Sequence, residues 1–336
     1  MQPTDFSKYL TIFLTKYLPG ERGVSSNTIS AYRDSFVLLI KYMEFAGIKT
    51  SKLTLERLDC GSILGFLEWL QKERGASAAT RNMRLSAIHS FFKFLQYRYP
   101  EHLQLYQEVL SIPIKKKETK IMSYLSIEGV KLLLEQINTA TQRGRRDLAL
   151  LSLMYDTASR VQEIIDLTPS CVRVDKPAII KITGKGNKTR IVPMLDDQVK
   201  ILKQYMNENN LTKVDANMHP LFFNHRMEKF TRAGVSHILL KYAKMAEKKN
   251  PKLVPNHISC HSLRHSKAMH LLQAGVNLVY IRDILGHVSV TTTEIYARAD
   301  SRKKREAIEA AYVKTAPNEI GLWQVNNNLL EWLKSL

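Results

Sequence analysis

The stretch LGHVSVTTTEIY, residues 285–296, contains the signals for one helix end and one helix start. Gly286 follows an apolar run, and glycine is the residue that most readily takes the left-handed backbone at which helices end. Further along, the Thr-x-x-Glu spacing that begins at Thr291 is that of a capping box and predicts a new helix from this point. The stretch therefore predicts a turn that contains His287 and a helix with Tyr296 in its first two turns.

Hydrophobic periodicity predicts that the rest of the chain is mainly helical, with a small β-hairpin. Apolar residues at helical spacing predict an N-terminal four-helix unit, with helices over residues 6–17, 28–45, 63–71 and 78–97. Met83 is expected among the inward-facing residues of the last of these helices, whose opposite face includes Arg81, Arg84 and Lys93.

The second part of the chain interrupts its helices with two short strands. Helices are predicted after Ser126 and over residues 146–155. Strands over residues 178–182 and 190–194 then flank the turn Gly184–Asn187, whose Gly and Asn content is typical of a hairpin. Helices resume after this hairpin.

These patterns divide the chain into four parts: a helical domain, a basic linker, a second domain and an apolar tail, over residues 1–111, 112–122, 123–312 and 313–336. The linker suits a solvated tether, and it suits equally well a segment that follows a phosphate backbone. The tail contains Trp323 and Trp332 and must dock on its own domain or on a neighbouring subunit.

Composition excludes several classes of protein. The 336 residues include 50 Lys and Arg against 31 Asp and Glu, a formal charge of +19, which favours a polyanionic partner such as nucleic acid. No apolar run approaches the ~18 residues of a membrane span, and no secretion signal is evident. The cysteines are Cys60, Cys171 and Cys260, which form neither a disulfide framework nor a Cys-x-x-Cys site and suit a reducing cytoplasm.

Several polar clusters are ambiguous when each is taken alone. His261 and Arg264 share a helix face and suit one anion, but this spacing also fits an ordinary basic helix surface. His261 and His265 have the spacing of a zinc helix, yet Ser262 stands where a metalloprotease helix has its glutamate. A hairpin lysine such as Lys185 is normally a solvated charge.

In combination, these clusters resemble the tyrosine recombinase (phage integrase) family. Arg160 ends the segment YDTASR, the hairpin lysine follows, then His-x-x-Arg, Leu-Gly-His and a tyrosine nine residues after that histidine. The resemblance covers nearly the whole chain. It implies that residues 1–111 form a helical core-binding (SAM-like) domain and that residues 123–312 form an α+β tyrosine recombinase catalytic domain.

The resemblance also implies a set of catalytic residues, namely Arg160, Lys185, His261, Arg264, His287 and Tyr296. Tyr296 would attack a DNA phosphodiester to form a 3′-phosphotyrosine link, and the arginines would hold the phosphate oxygens. By the same resemblance, His261 is the expected base, His287 the expected phosphate ligand, and Lys185 the expected acid. The resemblance implies a supporting role for Glu163. Ala158 and Ser159 depart from the family pattern, in which many members have Gly followed by an apolar residue.

The implied reaction needs no metal, ATP or other cofactor. The phosphotyrosine link keeps the energy of the broken phosphodiester bond for religation, and the cations of the site neutralise the charge of the phosphate. The expected partner is double-stranded DNA, and we expect a homotetramer to bind two recombination sites. The tail is expected to dock in trans on the next protomer. Accessory proteins can take part, and no membrane partner is expected. We expect a cytoplasmic, nucleoid-associated location. DNA contacts are predicted for six basic residues, Arg81, Arg84, Lys115, Lys116, Lys117 and Lys188.

Two other functions share these features. A non-catalytic DNA-binding regulator on the same fold would explain the charge but not the complete catalytic set. A type IB topoisomerase would use the same chemistry to relax DNA, whereas the compact N-terminal unit and the tail favour recombination of the integrase or transposase type.

Overall fold

The computed structural model of the protein describes residues 3–116, 122–299 and 329–334. The chain folds into two compact units, Met1–Lys120 and Ile121–Leu336. Both are helical and the second also contains a small sheet, which confirms the predicted fold class. Within the described ranges, no helix is long and apolar enough to cross a membrane.

Helices of the N-terminal unit start at polar residues that cap them. Ser25, Asp59 and Ser77 each accept a hydrogen bond from the backbone N–H three residues later, which satisfies a donor that the helix itself cannot pair. The first helix continues into a π-helical segment, Phe13–Glu21. The helices of this unit are α1 (Asp5–Ile12), α2 (Ser26–Phe45), α3 (Cys60–Lys72), α4 (Ala78–Arg98) and α5 (Leu103–Leu110). Helix α5 was not predicted, because its 8 residues span few repeats of the helical period.

Phenylalanine rings fill the centre of this unit. Phe91 of α4 is fully buried and makes edge-to-face contacts with Phe6, Phe13 and Phe36, at ring-centroid distances of 6.0, 5.3 and 5.2 Å. Such pairs contribute about 0.5–1.5 kcal/mol each beyond the area that they bury. The three partner rings come from α1, the π-helical segment and α2, so α4 is the element on which the unit packs.

The sequence predicts that Arg81 and Arg84 lie on the outer face of α4, but the structure buries Arg81 fully and Arg84 partly. Arg81 is only 4% exposed, and its Nη1 donates to the carbonyl of Pro113 at 3.2 Å, because the chain beyond α5 passes this end of α4. Arg84 is partly buried and donates to the hydroxyl of Ser35 on α2 at 3.1 Å. Met83, which was expected to face inward, is exposed. The predicted orientation of Arg81 and Met83 was therefore wrong.

The second unit contains more helices and a three-stranded antiparallel sheet in the order β1-β2-β3. Its strands are β1 (Val172–Arg173), β2 (Ile179–Thr183) and β3 (Thr189–Pro193). Its helices are α6 (Ile127–Leu134), α7 (Gln142–Asp156), α8 (Val161–Ile165), α9 (Asp196–Glu208), α10 (Arg232–Lys249), α11 (Cys260–Gln273), α12 (Leu278–Leu285), α13 (Glu294–Ala299) and α14 (Leu329–Lys334).

The predicted hairpin is formed by β2 and β3. Ile180 pairs with Val192 and Thr183 with Thr189, so that buried and exposed side chains alternate along both strands. Strand β1 was not predicted, because its two residues are too short to show an alternation. The hairpin places the turn at residues 184–188 at one end of the sheet.

The stretch 285–296 folds with one difference from its prediction. Helix α12 ends at Gly286, whose φ of +63° is the left-handed conformation expected there. The next helix, however, starts at Glu294, because a 3₁₀ turn over Val290–Thr292 precedes it and Ser289 caps that turn. Thr291 is therefore not the helix cap that the capping-box spacing predicted.

The predicted linker and tail are described only in part. Ile112, at the start of the linker, is buried in the N-terminal unit, and the backbone N–H of Lys115 donates to the side chain of Asn82 at 3.1 Å. Residues 117–121 lie outside the described ranges, as do residues 300–328 of the chain leading into the tail. The trans docking of the tail stays a prediction.

Replacing Phe91 by Ala tests whether α4 organises the N-terminal unit. Removing a fully buried ring should lower the free energy of unfolding of this unit by about 3–5 kcal/mol. Native-state hydrogen exchange on the full chain would measure this loss in α2 and α4. Lys93→Ala, an exposed site on the same helix, is the matched control. Unchanged protection in Phe91→Ala would contradict this view of the core.

Candidate active site

A buried carboxylate joins two arginines in the second unit. Glu163, in the first turn of α8, is 5% exposed. Its Oε1 accepts from Nη1 of Arg160 at 2.6 Å, and its Oε2 accepts from Nη2 of Arg190 at 2.7 Å and from the backbone N–H of Arg160 at 3.0 Å. Burial alone would raise the pKa of Glu163, but these hydrogen bonds and the two positive charges outweigh it and hold the pKa below its usual range. The ionised carboxylate fixes Arg160, and the supporting role of Glu163 stays a prediction.

Arg264 of α11 ties two turns together from within the core. Its Nη1 donates to the carbonyl of Ala158 at 2.7 Å and its Nη2 to the carbonyl of Leu285 at 2.5 Å. Burial, together with the charge of nearby Arg160, lowers the pKa of Arg264 to about 10, so it stays protonated at neutral pH. The turn that leads to Arg160 and the turn that leads to His287 are thus held by one side chain.

The departure from the family pattern at Ala158 leaves the turn intact. Ala158 has a φ of +48°, the left-handed conformation that glycine adopts most easily. Alanine takes this conformation at a cost of about 1–2 kcal/mol. Its methyl group is fully buried, and its carbonyl accepts the Arg264 hydrogen bond, both of which stabilise the turn.

His287 lies in the turn after α12, among these positive charges. Its Nδ1 is 3.0 Å from the hydroxyl oxygen of Thr293. Burial, followed by the charges of Arg264, Arg160 and Arg190, lowers the pKa of His287 to about 4. The imidazole is therefore neutral at neutral pH and can donate or accept a single hydrogen bond at its other nitrogen.

Tyr296, the expected nucleophile, is buried at the base of this cluster. It is 1% exposed and packs in a small core with side chains of α11 and α12, such as Leu272 and Leu285. Its hydroxyl lies 2.9 Å from Nδ1 of His265. Burial raises the pKa of Tyr296, and the charges of Arg264 and Arg160 act in the opposite direction.

His265 was not among the predicted site residues, although it lies one helical turn after His261. Burial, with His261 and Arg264 nearby, lowers the pKa of His265 to about 4. The spacing of four residues on one helix was the available signal, and it was weighed only as metal spacing. The described ranges contain no group of three His, Cys, Asp or Glu side chains that could hold a metal ion.

The structure does not bring His261 onto the Tyr296 hydroxyl. His261 is exposed in the first turn of α11, and its ring centroid is 5.9 Å from that of His265. Partial burial, and then the charges of Arg264 and Arg160, lowers the pKa of His261. The charges of both arginines therefore act on His261, whereas His265 occupies the position beside the phenol.

A basic cleft of about 380 Å³ opens between the hairpin and α12. It is lined by Lys188, Arg190, Arg282 and His287, with Asp283 as the acidic member. Lys185 belongs to the turn at the tip of the hairpin, but its side chain lies outside the described part of the structure. The cleft is a suitable place for a phosphate backbone, because its walls are predominantly positive.

The remaining predicted DNA contacts are surface lysines. Lys115 is exposed, and its Nζ donates to the side chain of Gln71 at 2.7 Å. Lys116 and Lys188 are also exposed, while Lys117 lies outside the described ranges. DNA contact at these lysines stays a prediction.

Replacing Glu163 by Gln should destabilise the second unit. The substitution keeps the shape of the side chain but leaves Arg160 and Arg190 without the charge that holds them together. Removing one partner of a buried ion pair costs about 3–5 kcal/mol, so a loss of about 3 kcal/mol is expected. Hydrogen exchange of the β2 and β3 amides would report it. Asp197→Asn, in an exposed pair with Lys200, should change the stability by less than about 0.5 kcal/mol. Equal effects of both variants would contradict the bridge.

The two low-pKa histidines predict an acid-sensitive unit. His265 and His287 have pKa values of about 4 in the folded state, well below the usual 6.5, so the unfolded chain takes up protons first as the pH falls. The stability contributed by these neutral histidines is therefore complete above pH 6.5 and is lost as the pH falls toward 4. Urea titrations from pH 4 to 7 should give a shallower pH dependence for His265→Gln than for the parent protein. An unchanged slope would mean that His265 is not a buried neutral group.

Comparison with known proteins places this arrangement in a family. Residues 123–303 match the model of the phage integrase family, and residues 13–98 match the model of the phage integrase N-terminal SAM-like domain. The chain is 36% identical to the Sinorhizobium fredii protein named "Putative integrase/recombinase y4rC", over 97% of each chain. It is 31% identical to tyrosine recombinase XerD of Listeria innocua, over 86% of this chain and 94% of that one.

Solved structures agree on the fold. The chain is similar to XerH site-specific recombinase bound to palindromic difH substrate in a post-cleavage complex, with a TM-score of 0.67. That likeness has 24% sequence identity and covers 86% of this chain and 80% of that chain. From the two family models and the curated relatives together, we conclude that the chain belongs to the phage integrase family of tyrosine recombinases, enzymes that cleave and rejoin DNA.

Proposed function

We propose that this chain is a site-specific recombinase that cleaves double-stranded DNA through a 3′-phosphotyrosine link at Tyr296 and exchanges strands between two sites. The observation that carries the proposal is that Arg264 is hydrogen-bonded to the carbonyls of Ala158 and Leu285, in the turns that lead to Arg160 and His287, and that Ala158 and Leu285 belong to the same buried cluster as Tyr296. The charges of both arginines act on the pKa of Tyr296 and on that of His287. A phosphodiester placed among these groups would meet positive charge and a nucleophile in the same place.

The arginines would bind and stabilise the phosphate. Arg264 uses two of its five N–H donors for the carbonyls that fix it, which leaves three for a ligand. Arg160 is fixed by Glu163 and has a side chain 31% exposed. Both arginines remain charged when the non-bridging oxygens gain negative charge in the transition state. One donor of this kind contributes about 3–4 kcal/mol in well-studied sites.

The proposed reaction has two balanced steps. The Tyr296 oxygen forms a bond to phosphorus while the bond from phosphorus to the 5′ oxygen breaks. The phenolic proton passes to a base. The departing 5′ oxygen takes a proton from a general acid, for which we propose Lys185 at the hairpin tip. In the second step the 5′-hydroxyl of the partner strand gives its proton to Lys185 as its oxygen bonds to phosphorus. The bond from phosphorus to the Tyr296 oxygen breaks, and the base returns its proton to that oxygen, so the energy of the phosphodiester bond is conserved.

His265 and His261 would act at different stages. A group with a pKa near 4 is a weak base at neutral pH, so His265 holds the phenol rather than removing its proton. We therefore keep His261 as the proposed base. This assignment requires a movement of α13 that takes the Tyr296 hydroxyl away from His265 and toward the first turn of α11.

Strand exchange between two sites requires several active sites at once, so we propose a homotetramer on two DNA duplexes, with a cytoplasmic, nucleoid-associated location. The net charge of +19 supports a large phosphate interface and predicts that binding weakens steeply with salt. Two of the three tryptophans of the chain lie in the tail, which suits docking on a neighbouring protomer.

Tyr296→Phe is the direct test of the nucleophile. Incubation with genomic DNA flanking its own gene should give the parent protein a covalent adduct on a denaturing gel, and sequencing of the adduct maps the site. The variant should bind the mapped duplex within about threefold of the parent but trap no adduct, because it lacks the attacking oxygen. Tyr280→Phe, on an exposed tyrosine of α12, should trap adduct normally. An adduct in Tyr296→Phe would assign the chemistry to another residue, and its absence from the parent would favour a DNA-binding regulator.

A further inference from the structure

We infer that Arg190 is a positioning residue for cleavage, which holds Arg160 through Glu163 and supports the turn that carries His287. Arg190 was not singled out from the sequence, where it only marks the end of the hairpin turn. The inference rests on the proposed function, since positioning has meaning only if these side chains act on DNA.

The first contact is the bridge to Arg160. Nη2 of Arg190 donates to Oε2 of Glu163, while Oε1 of the same carboxylate accepts from Arg160. Arg190 lies on β3 and Arg160 just before α8, so the carboxylate connects the hairpin to the turn that carries the first catalytic arginine. Without Arg190, one oxygen of Glu163 would lose its side-chain donor and the carboxylate could rotate, carrying Arg160 with it.

The second contact is the turn after α12. A Cβ placed on Gly286 would come within 3.0 Å of Nη1 and 3.1 Å of Cδ of Arg190, so the Arg190 side chain lies against the side of Gly286 where another residue would carry its own side chain. Gly286 directly precedes His287. Arg190 thus supports the backbone that sets the position of the His287 ring.

The third contact is the hairpin tip. A Cβ on Gly184 would lie 2.9 Å from Oε1 of Glu163 and 3.7 Å from Nη1 of both Arg160 and Arg190. Gly184 directly precedes Lys185. Three chain segments that carry Arg160, Lys185 and His287 therefore meet at the Arg190–Glu163 pair.

The burial of Arg190 supports a role beyond stability. Its side chain is only 10% exposed, and its Nε is buried with no hydrogen-bond partner within the described residues. Burying a guanidinium with an unpaired N–H is unfavourable, so a smaller or apolar side chain would serve the core better. The shape of the guanidinium explains the choice, because its planar group bonds Glu163 through Nη2 while Nη1 and Cδ lie against Gly286, which the single ammonium of lysine cannot reproduce.

Arg190 also contributes to the charge environment of His287. Its charge helps to lower the pKa of His287, after burial and the charges of Arg264 and Arg160. The charged groups that lower the pKa of His265 are instead His261 and Arg264. Loss of Arg190 should therefore raise the pKa of His287 and leave the pKa of His265 unchanged.

The test compares Arg190→Lys and Arg190→Met with Arg173→Met. Arg173 is an exposed arginine of the same sheet, and its guanidinium donates to the carbonyl of Pro177. The substrate is a nicked duplex carrying the site mapped by covalent trapping. Single-turnover cleavage at saturating protein should fall about 100-fold in Arg190→Met and at least about tenfold in Arg190→Lys, since displaced catalytic groups cost this much. Arg190 also lines the basic cleft, so the DNA affinity of each variant is measured separately and cleavage is compared only at saturating protein. Arg173→Met should cleave at the parent rate.

An NMR titration of the histidine rings gives a second readout that does not depend on cleavage. The pKa of His287 should rise in Arg190→Met while that of His265 stays near its parent value, which a general loss of structure would not produce. Parent-like cleavage by Arg190→Lys, or an unmoved His287 pKa in Arg190→Met, would overturn the inference. If either of these results is found while Tyr296→Phe traps no adduct, the role of Arg190 is wrong but the proposed function stands. If Tyr296→Phe traps an adduct, the proposed nucleophile is wrong.

Discussion

The ion pair network centred on Glu163 is the interaction on which the rest of the site depends. Its carboxylate is buried and ionised because two guanidiniums and one backbone N–H compensate for the loss of water. Each oxygen serves a different arginine, so the position of Arg160 is set by the hairpin as well as by α8. A site that must place several cations around one phosphate gains precision from a rigid carboxylate, because mutual repulsion would otherwise separate the arginines.

Burial also determines which groups carry charge. The arginines stay protonated even where their pKa falls, while the buried histidines are neutral at physiological pH. Charge neutralisation is therefore assigned to groups that never release a proton, and hydrogen bonding to groups that can adapt. The same burial favours the protonated form of the Tyr296 phenol, whose hydroxyl lies beside His265.

The sequence predicted those features that depend on local pattern. The end of α12 at Gly286, the hairpin around Gly184 and the four N-terminal helices follow from backbone preference and hydrophobic period, and the structure confirms them. Arg81 was placed wrongly because its burial depends on a chain segment 32 residues away, at Pro113. His265 and Arg190 were missed because their partners, Tyr296 and Glu163, are distant in sequence and only the fold brings them together.

The central claim is that the phenolic oxygen of Tyr296 becomes bonded to the DNA strand. Tandem mass spectrometry of the trapped complex, after digestion by protease and nuclease, would locate that bond directly. The account predicts a nucleotide attached through its 3′-phosphate to the peptide containing Tyr296. A nucleotide found on a different tyrosine, or attached through its 5′-phosphate, would contradict it.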